Sequence, residues 1–196
     1  MSSSNNEENV NYANRIRSYR DLMEFQLTIA ERWLNRGDNV EDIFAKFFFY
    51  FAGFNSVYFL WRKIDAIDRE SEVKHIENLL KKFDEPMVQD ILKKMNENII
   101  YFINRTPIQR MDSRNIGNQL TGNDSEGEKC RIKLSDKQET ERLIAIGSIL
   151  YFVRSNLVHG SKKDSGDDRK IIENAIEPLK IILLKSISLT RKHQYL

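Results

Sequence analysis

The sequence predicts an all-α protein, a bundle of about six helices. Three observations carry this. Apolar residues recur at i, i+3, i+4 and i+7 in nearly every apolar segment, whereas the strict alternation of a half-buried strand does not appear in any sustained form. Ser, Asp, Gly and Pro punctuate these segments where helix ends need them. Most connections are short, which makes consecutive helices antiparallel neighbours.

Residues 1–14 are rich in Ser, Asn and Glu, and read as a disordered lead-in without the basic and apolar regions of a signal peptide. The first helix runs along Ile16, Tyr19, Leu22, Met23, Phe25, Gln26, Ile29, Ala30, Trp33 and Leu34, with Gly37 as its stop. Asp38 or Asn39 is the expected cap of a second helix from about Val40 to Ile64. Its stretch from Phe47 to Trp61 holds nine aromatics in fifteen residues. That run is shorter than the roughly 20 apolar residues of a membrane span, is bounded by Lys46 and Arg62, and contains Asn55, so it reads as a buried helix. Apolar on nearly every side, it should leave surface that a second copy of the chain covers.

Ser71 opens a shorter helix with Ile76, Leu79, Leu80 and Phe83. Asp84-Glu85-Pro86 opens another, carrying Val88, Ile91, Leu92, Met95, Ile99 and Phe102, which Thr106-Pro107 ends. Residues 107–135 show breakers and no periodicity, as a long loop or insertion does. Ser135 is then the expected cap of a helix with the stripe Ile146, Ile149, Leu150, Val153 and Leu157, closed by Gly160. Asp167 or Asp168 opens the last helix, in which Pro178 predicts a kink. The expectation is therefore one helical domain over residues 15–190 and a short tail, 191–196.

Charge is balanced at 31 basic against 29 acidic residues, so no global field draws nucleic acid and any RNA contact must be local. The single cysteine, Cys130, can form no internal disulfide, which fits a reducing cytoplasm. His75, His159 and His193 lie far apart and outside metal-ligand spacings, so neither a metal nor another cofactor is expected.

The chemistry concentrates in Arg154-Ser155-Asn156-Leu157-Val158-His159-Gly160. A guanidinium grips phosphate oxygens bidentately, and an imidazole moves protons near neutral pH. Five residues apart on an ideal helix the two side chains point about 140° from each other, so the last turn must unwind at Gly160 for both to line one cleft. The alternative is a structural pair: Arg154 bridged to a nearby carboxylate and His159 set against the helix's own carbonyl end. Asn55, an amide among aromatics, needs a buried hydrogen-bond partner, for which Arg154 or nearby backbone would serve. Lys162, Lys163 and Arg169 flank the motif as candidate RNA contacts, although Asp164, Asp167 and Asp168 interleave them.

A helix ending in Arg-x4-His-Gly, a short charged loop, Asp168-Arg169 opening the last helix, and an upstream aromatic helix with Phe54-Asn55-Ser56-Val57-Tyr58-Phe59-Leu60-Trp61 together resemble the HEPN superfamily over roughly residues 15–190. The resemblance implies an all-α domain that dimerises about the motif helix, so that two subunits build one cleft. It implies a metal-independent endoribonuclease acting on single-stranded or loop RNA, of the kind found in toxin-antitoxin and defence systems, with Arg154 and His159 at the two catalytic positions. Asn55 matches a polar position that often points to the site, with Ser155 and Asn156 supporting it. The residue after the arginine is frequently Asn, Asp or His in catalytic members and is Ser155 here. Non-catalytic relatives act as RNA-binding or dimerisation modules, so the alternative for this chain is such a module, an RNA binder or the partner of an antitoxin of nucleotidyltransferase type. For cleavage, one His159 would act as base on a ribose 2′-OH and its symmetry mate as acid, while two Arg154 side chains hold the phosphate and a 2′,3′-cyclic phosphate is left.

Overall fold

The structure, a computed structural model, describes residues 3–67, 69–105, 126–158 and 166–194, with side chains described from residue 19 onward. Among the described residues the chain is all-α, with eight helices and no strand. These are α1 (Ser3–Asp38), α2 (Ile43–Ile64), α3 (Glu72–Leu80), α4 (Glu85–Lys94), α5 (Asn96–Asn104), α6 (Glu126–Lys133), α7 (Glu139–Val158) and α8 (Gly166–Gln194).

The backbone is helical from Ser3, where the sequence reads as an unstructured lead-in; neither glycine nor proline interrupts the chain before Gly37. Gly37 does not stop α1, which continues to Asp38. Its role is steric, because a Cβ there would lie 2.3 Å from Cε1 of the Tyr50 ring. Asp38 cannot cap α2, since it accepts hydrogen bonds from Tyr50 Oη and Lys180 Nζ, both at 2.6 Å. Asn39 instead closes α1 by donating to the Asn35 carbonyl at 2.7 Å. The cap of α2 is Asp42, whose carboxylate accepts from the Ala45 N–H at 2.7 Å.

By length and composition α2, at 22 residues, could cross a membrane. Within the fold it is a core helix: Phe47, Tyr50, Phe51, Phe54, Val57, Tyr58, Leu60 and Trp61 are buried, and α1, α3 and α8 pack against it. Helices α1, α2 and α8 come close together at Gly53, where a Cβ would sit 3.0 Å from the Ala30 carbonyl oxygen and 3.1 Å from Leu183 Cδ2. Near the far end of α2, Trp61 Nε1 donates to Thr190 Oγ1 of α8 at 2.9 Å, inside the core.

Ser71 and Asp84 cap α3 and α4 as their sequence positions predict. The single helix expected after Asp84 is two, broken at the fully buried Met95, whose dihedrals (φ −103°, ψ 19°) leave the helical range. The break lets α4 meet α7 and α8 while α5 meets α8 and α6. Within the expected 107–135 loop, residues 107–125 lie outside the described residues, and 126–133 form α6. Cys130 and Leu134 anchor this helix in the core, and Arg142 Nε donates to the Leu134 carbonyl at 3.1 Å. So short an element, with so few apolar positions, carries no periodic signal. Ser135 does not cap α7, which starts at Glu139 after a turn in which Asp136 accepts from the Gln138 N–H.

Every residue of α7 from Leu143 to Val153 is buried, which makes it the central helix of the bundle. It takes α3 at Gly147, where a Cβ would come within 2.6 Å of Leu80 Cδ1 and 3.0 Å of Ile76 Cγ2. Glu72, two turns before Leu80 on α3, lies beside Arg154, two turns after Gly147 on α7. The two helices therefore run antiparallel in this register, and Gly147 sets how closely Glu72 can approach.

Candidate functional site

Arg154 stands in the last turn and a half of α7, the first residue there to leave the core. Its side chain is 29% exposed. The guanidinium carbon lies 5.7 Å from the centroid of the Phe51 ring on α2, an arrangement in which ring quadrupole and cation attract. Arg154 Nη1 is 3.8 Å from Oε2 of Glu72, in the first turn of α3. That separation is an ion pair but too long for a hydrogen bond. Among the described residues the guanidinium pairs with Glu72 by charge and donates no hydrogen bond.

The other Glu72 oxygen, Oε1, accepts from the Tyr58 hydroxyl at 3.1 Å. Burial pushes the Tyr58 phenol strongly up, and the Glu72 charge and hydrogen bond push it further, so the hydroxyl stays a donor. Phe51, Asn55 and Tyr58 fall at i, i+4 and i+7 on α2, one stripe of that helix. Arg154, Glu72, Tyr58 and Phe51 thus form one cluster contributed by α2, α3 and α7, with Asn55 on the same side of α2.

Asn55 departs from its expected environment. It is half-buried and has no hydrogen-bond partner among the described residues, because α2 is not covered on every side: Phe48 and Phe59, at i−7 and i+4 from it, are exposed. Water can meet the amide, so no buried partner is required. Ser155 and Asn156 are 3% and 4% exposed, turned into the packed side of α7; they can support the site from behind and cannot line it. Arg169 is exposed near the start of α8, with Nε 3.2 Å from Glu173 Oε1. His159, Gly160, Lys162 and Lys163 lie outside the described residues.

Glu72, Tyr58 and Phe51 were not picked out from the sequence. An acid in the first turn after a serine cap is an ordinary helix signal, and the aromatics are two of nine in their segment. Cys130 is buried, and that burial pushes its thiol up to about 11, as suits a packed core thiol. Among the described residues no group of three or more His, Cys, Asp or Glu is placed to hold a metal ion.

In chemical terms the arrangement offers a partly exposed cation at the end of α7, loosely paired with Glu72 and backed by an aromatic ring. It suits an oxyanion with several acceptor oxygens, a phosphate before a single carboxylate. Comparison with known proteins adds no relative: no family model matches the chain, and neither a curated protein nor a solved structure matches it.

Proposed function

We propose that this chain is a cytoplasmic, metal-independent endoribonuclease that acts on single-stranded or loop RNA through a cleft shared by two copies, with Arg154 and His159 as its catalytic residues, in a toxin or defence role. The observation that carries this reading is the Arg154 guanidinium, partly exposed at the end of α7 with no hydrogen bond committed among the described residues. Five residues further on, the motif places a histidine, and the HEPN resemblance assigns the pair to RNA cleavage. Phe48 and Phe59 on α2 and Val158 on α7 are exposed apolar groups that a second copy would cover. In the dimer two guanidiniums would hold the scissile phosphate, one imidazole would take the 2′-OH proton and the other would protonate the leaving 5′-oxygen.

The test is incubation of purified protein with labelled RNA in EDTA. Wild type should cleave, and His159→Ala or Arg154→Ala should each lose on the order of 10²-fold or more in rate. Undiminished cleavage by either variant would refute the assignment. Sedimentation should give twice the 23.2 kDa of the chain, and a strict monomer would remove the shared cleft.

One observation favours a second reading, a non-catalytic RNA-binding or dimerisation module paired with an antitoxin of nucleotidyltransferase type: the burial of Ser155 and Asn156 takes two polar groups out of the cleft. RNA binding that survives His159→Ala, without turnover by wild type, would select it.

A further inference from the structure

The Glu72 carboxylate occupies the ground next to the one cation on which the proposed site depends, and its geometry is that of a removable occupant. The Arg154–Glu72 separation of 3.8 Å lies beyond hydrogen-bonding distance, so parting the two breaks no hydrogen bond. The Glu72 side chain is 38% exposed and sits in the first turn of α3, so it is already partly hydrated, and swinging it into water gives up one hydrogen bond, that from the Tyr58 hydroxyl. Tyr58, held from below by burial, keeps the carboxylate at this post by donating to its Oε1 at 3.1 Å. Phe51 supports the guanidinium from α2 independently of Glu72, so the cation stays in place when the acid leaves.

We propose that Glu72 is an internal stand-in for phosphate: in the free protein it holds Arg154 in a closed pairing, and an incoming RNA phosphate displaces it to bind the guanidinium. The inference rests on the RNA reading of the preceding subsection and deepens it. Glu72 is then a positioning residue that sets how strongly the site takes a polyanion. It raises the threshold for RNA without touching the reacting atoms, since removing a carboxylate about 4 Å from a phosphate contact relieves both the pairing and the like-charge repulsion.

Glu72→Gln tests this. It keeps the Ser71 cap and an oxygen for the Tyr58 hydroxyl, and removes only the charge. Two readouts are taken on wild type, Glu72→Gln and Tyr58→Phe: the rate of Arg154 modification by phenylglyoxal with and without inorganic phosphate, and the affinity and steady-state cleavage of a labelled single-stranded RNA. Glu72→Gln should speed Arg154 modification, restore protection by phosphate, and tighten RNA binding roughly three- to tenfold, with KM lowered and kcat unchanged. Tyr58→Phe should shift each readout the same way by less. The gain in RNA affinity should vanish when Arg154→Gln is added. Equal modification rates and RNA affinities in wild type and Glu72→Gln overturn the inference, as does a gain that persists without Arg154. If Glu72 still governs phosphate protection of Arg154 while no variant binds or cuts RNA, the anion seat stands and the RNA reading falls.

Discussion

Replacing Gly147 with alanine tests the packing that brings α3 to the site. Alanine in a helix interior is favoured over glycine by about 1 kcal/mol, so propensity alone predicts a more stable protein. The structure predicts the opposite sign. The new Cβ would lie 2.6 Å from Leu80 Cδ1 and 3.0 Å from Ile76 Cγ2, where carbon atoms prefer about 3.5–4.0 Å, so the Leu80 methyl must retreat by roughly 1 Å. Leu80 and Ile76 are fully buried, with neighbours on all sides, so the retreat propagates into the core. Overpacking of this kind costs about 1–3 kcal/mol, which leaves a net loss on the order of 1 kcal/mol after the propensity gain. In a chain of 196 residues that lowers Tm by roughly 2–4 °C, measurable by circular dichroism in a thermal scan. A Tm that rises by 2 °C or more would show that α3 yields freely at Gly147, and the argument that this glycine fixes the Glu72–Arg154 register would fail.

Thr190→Val removes the acceptor of the Trp61 indole N–H in the core while preserving shape, and should cost about 1–3 kcal/mol by urea titration followed through tryptophan fluorescence; a loss under 0.5 kcal/mol would mean the N–H finds another partner. Asp38→Asn probes the clasp between α1, α2 and α8. Burial opposes ionisation of Asp38, but hydrogen bonds from Lys180 and Tyr50, together with the Lys180 and Lys46 charges, outweigh it and hold the carboxyl below its ordinary 3.8. A group with a depressed folded pKa stabilises above its unfolded value and loses that contribution as pH falls through the folded one. With the side chain 40% exposed, the variant should be less stable by no more than about 1 kcal/mol at pH 7, and the gap should narrow as pH falls below 3.8; a constant gap down to the acid limit of folding contradicts the assignment.

How much of this was legible in the sequence depended on the range of the interaction that decides each feature. The Ser71 and Asp84 caps were readable because the bond that fixes each one closes within three residues. Asp38 looked equally suited to capping, and lost the role to Asp42 because Tyr50 and Lys180 claim its carboxylate across 12 and 142 positions of sequence. The break at Met95 and the helix α6 were hidden because both answer to the shape of the core and not to local propensity. Arg154 stood out by chemical type and position on α7. Glu72, 82 residues earlier, could not be matched to it until α3 and α7 were seen to pack antiparallel. Asn55 was marked as unusual because it is an amide in an aromatic helix; which face of α2 it lies on, half-buried beside the exposed Phe48 and Phe59, is set by tertiary packing.

The central claim is cleavage through a ribose 2′-OH by a site built on Arg154 and His159, and one substrate pair tests it most directly. A single-stranded RNA is compared, in EDTA, with the same strand carrying a 2′-deoxy nucleotide at the cleaved position. The account predicts that the RNA is cut to a 2′,3′-cyclic phosphate and that the substituted strand stays intact at that position. Cleavage of both strands at equal rate, or cleavage only when a divalent metal is restored, would contradict it.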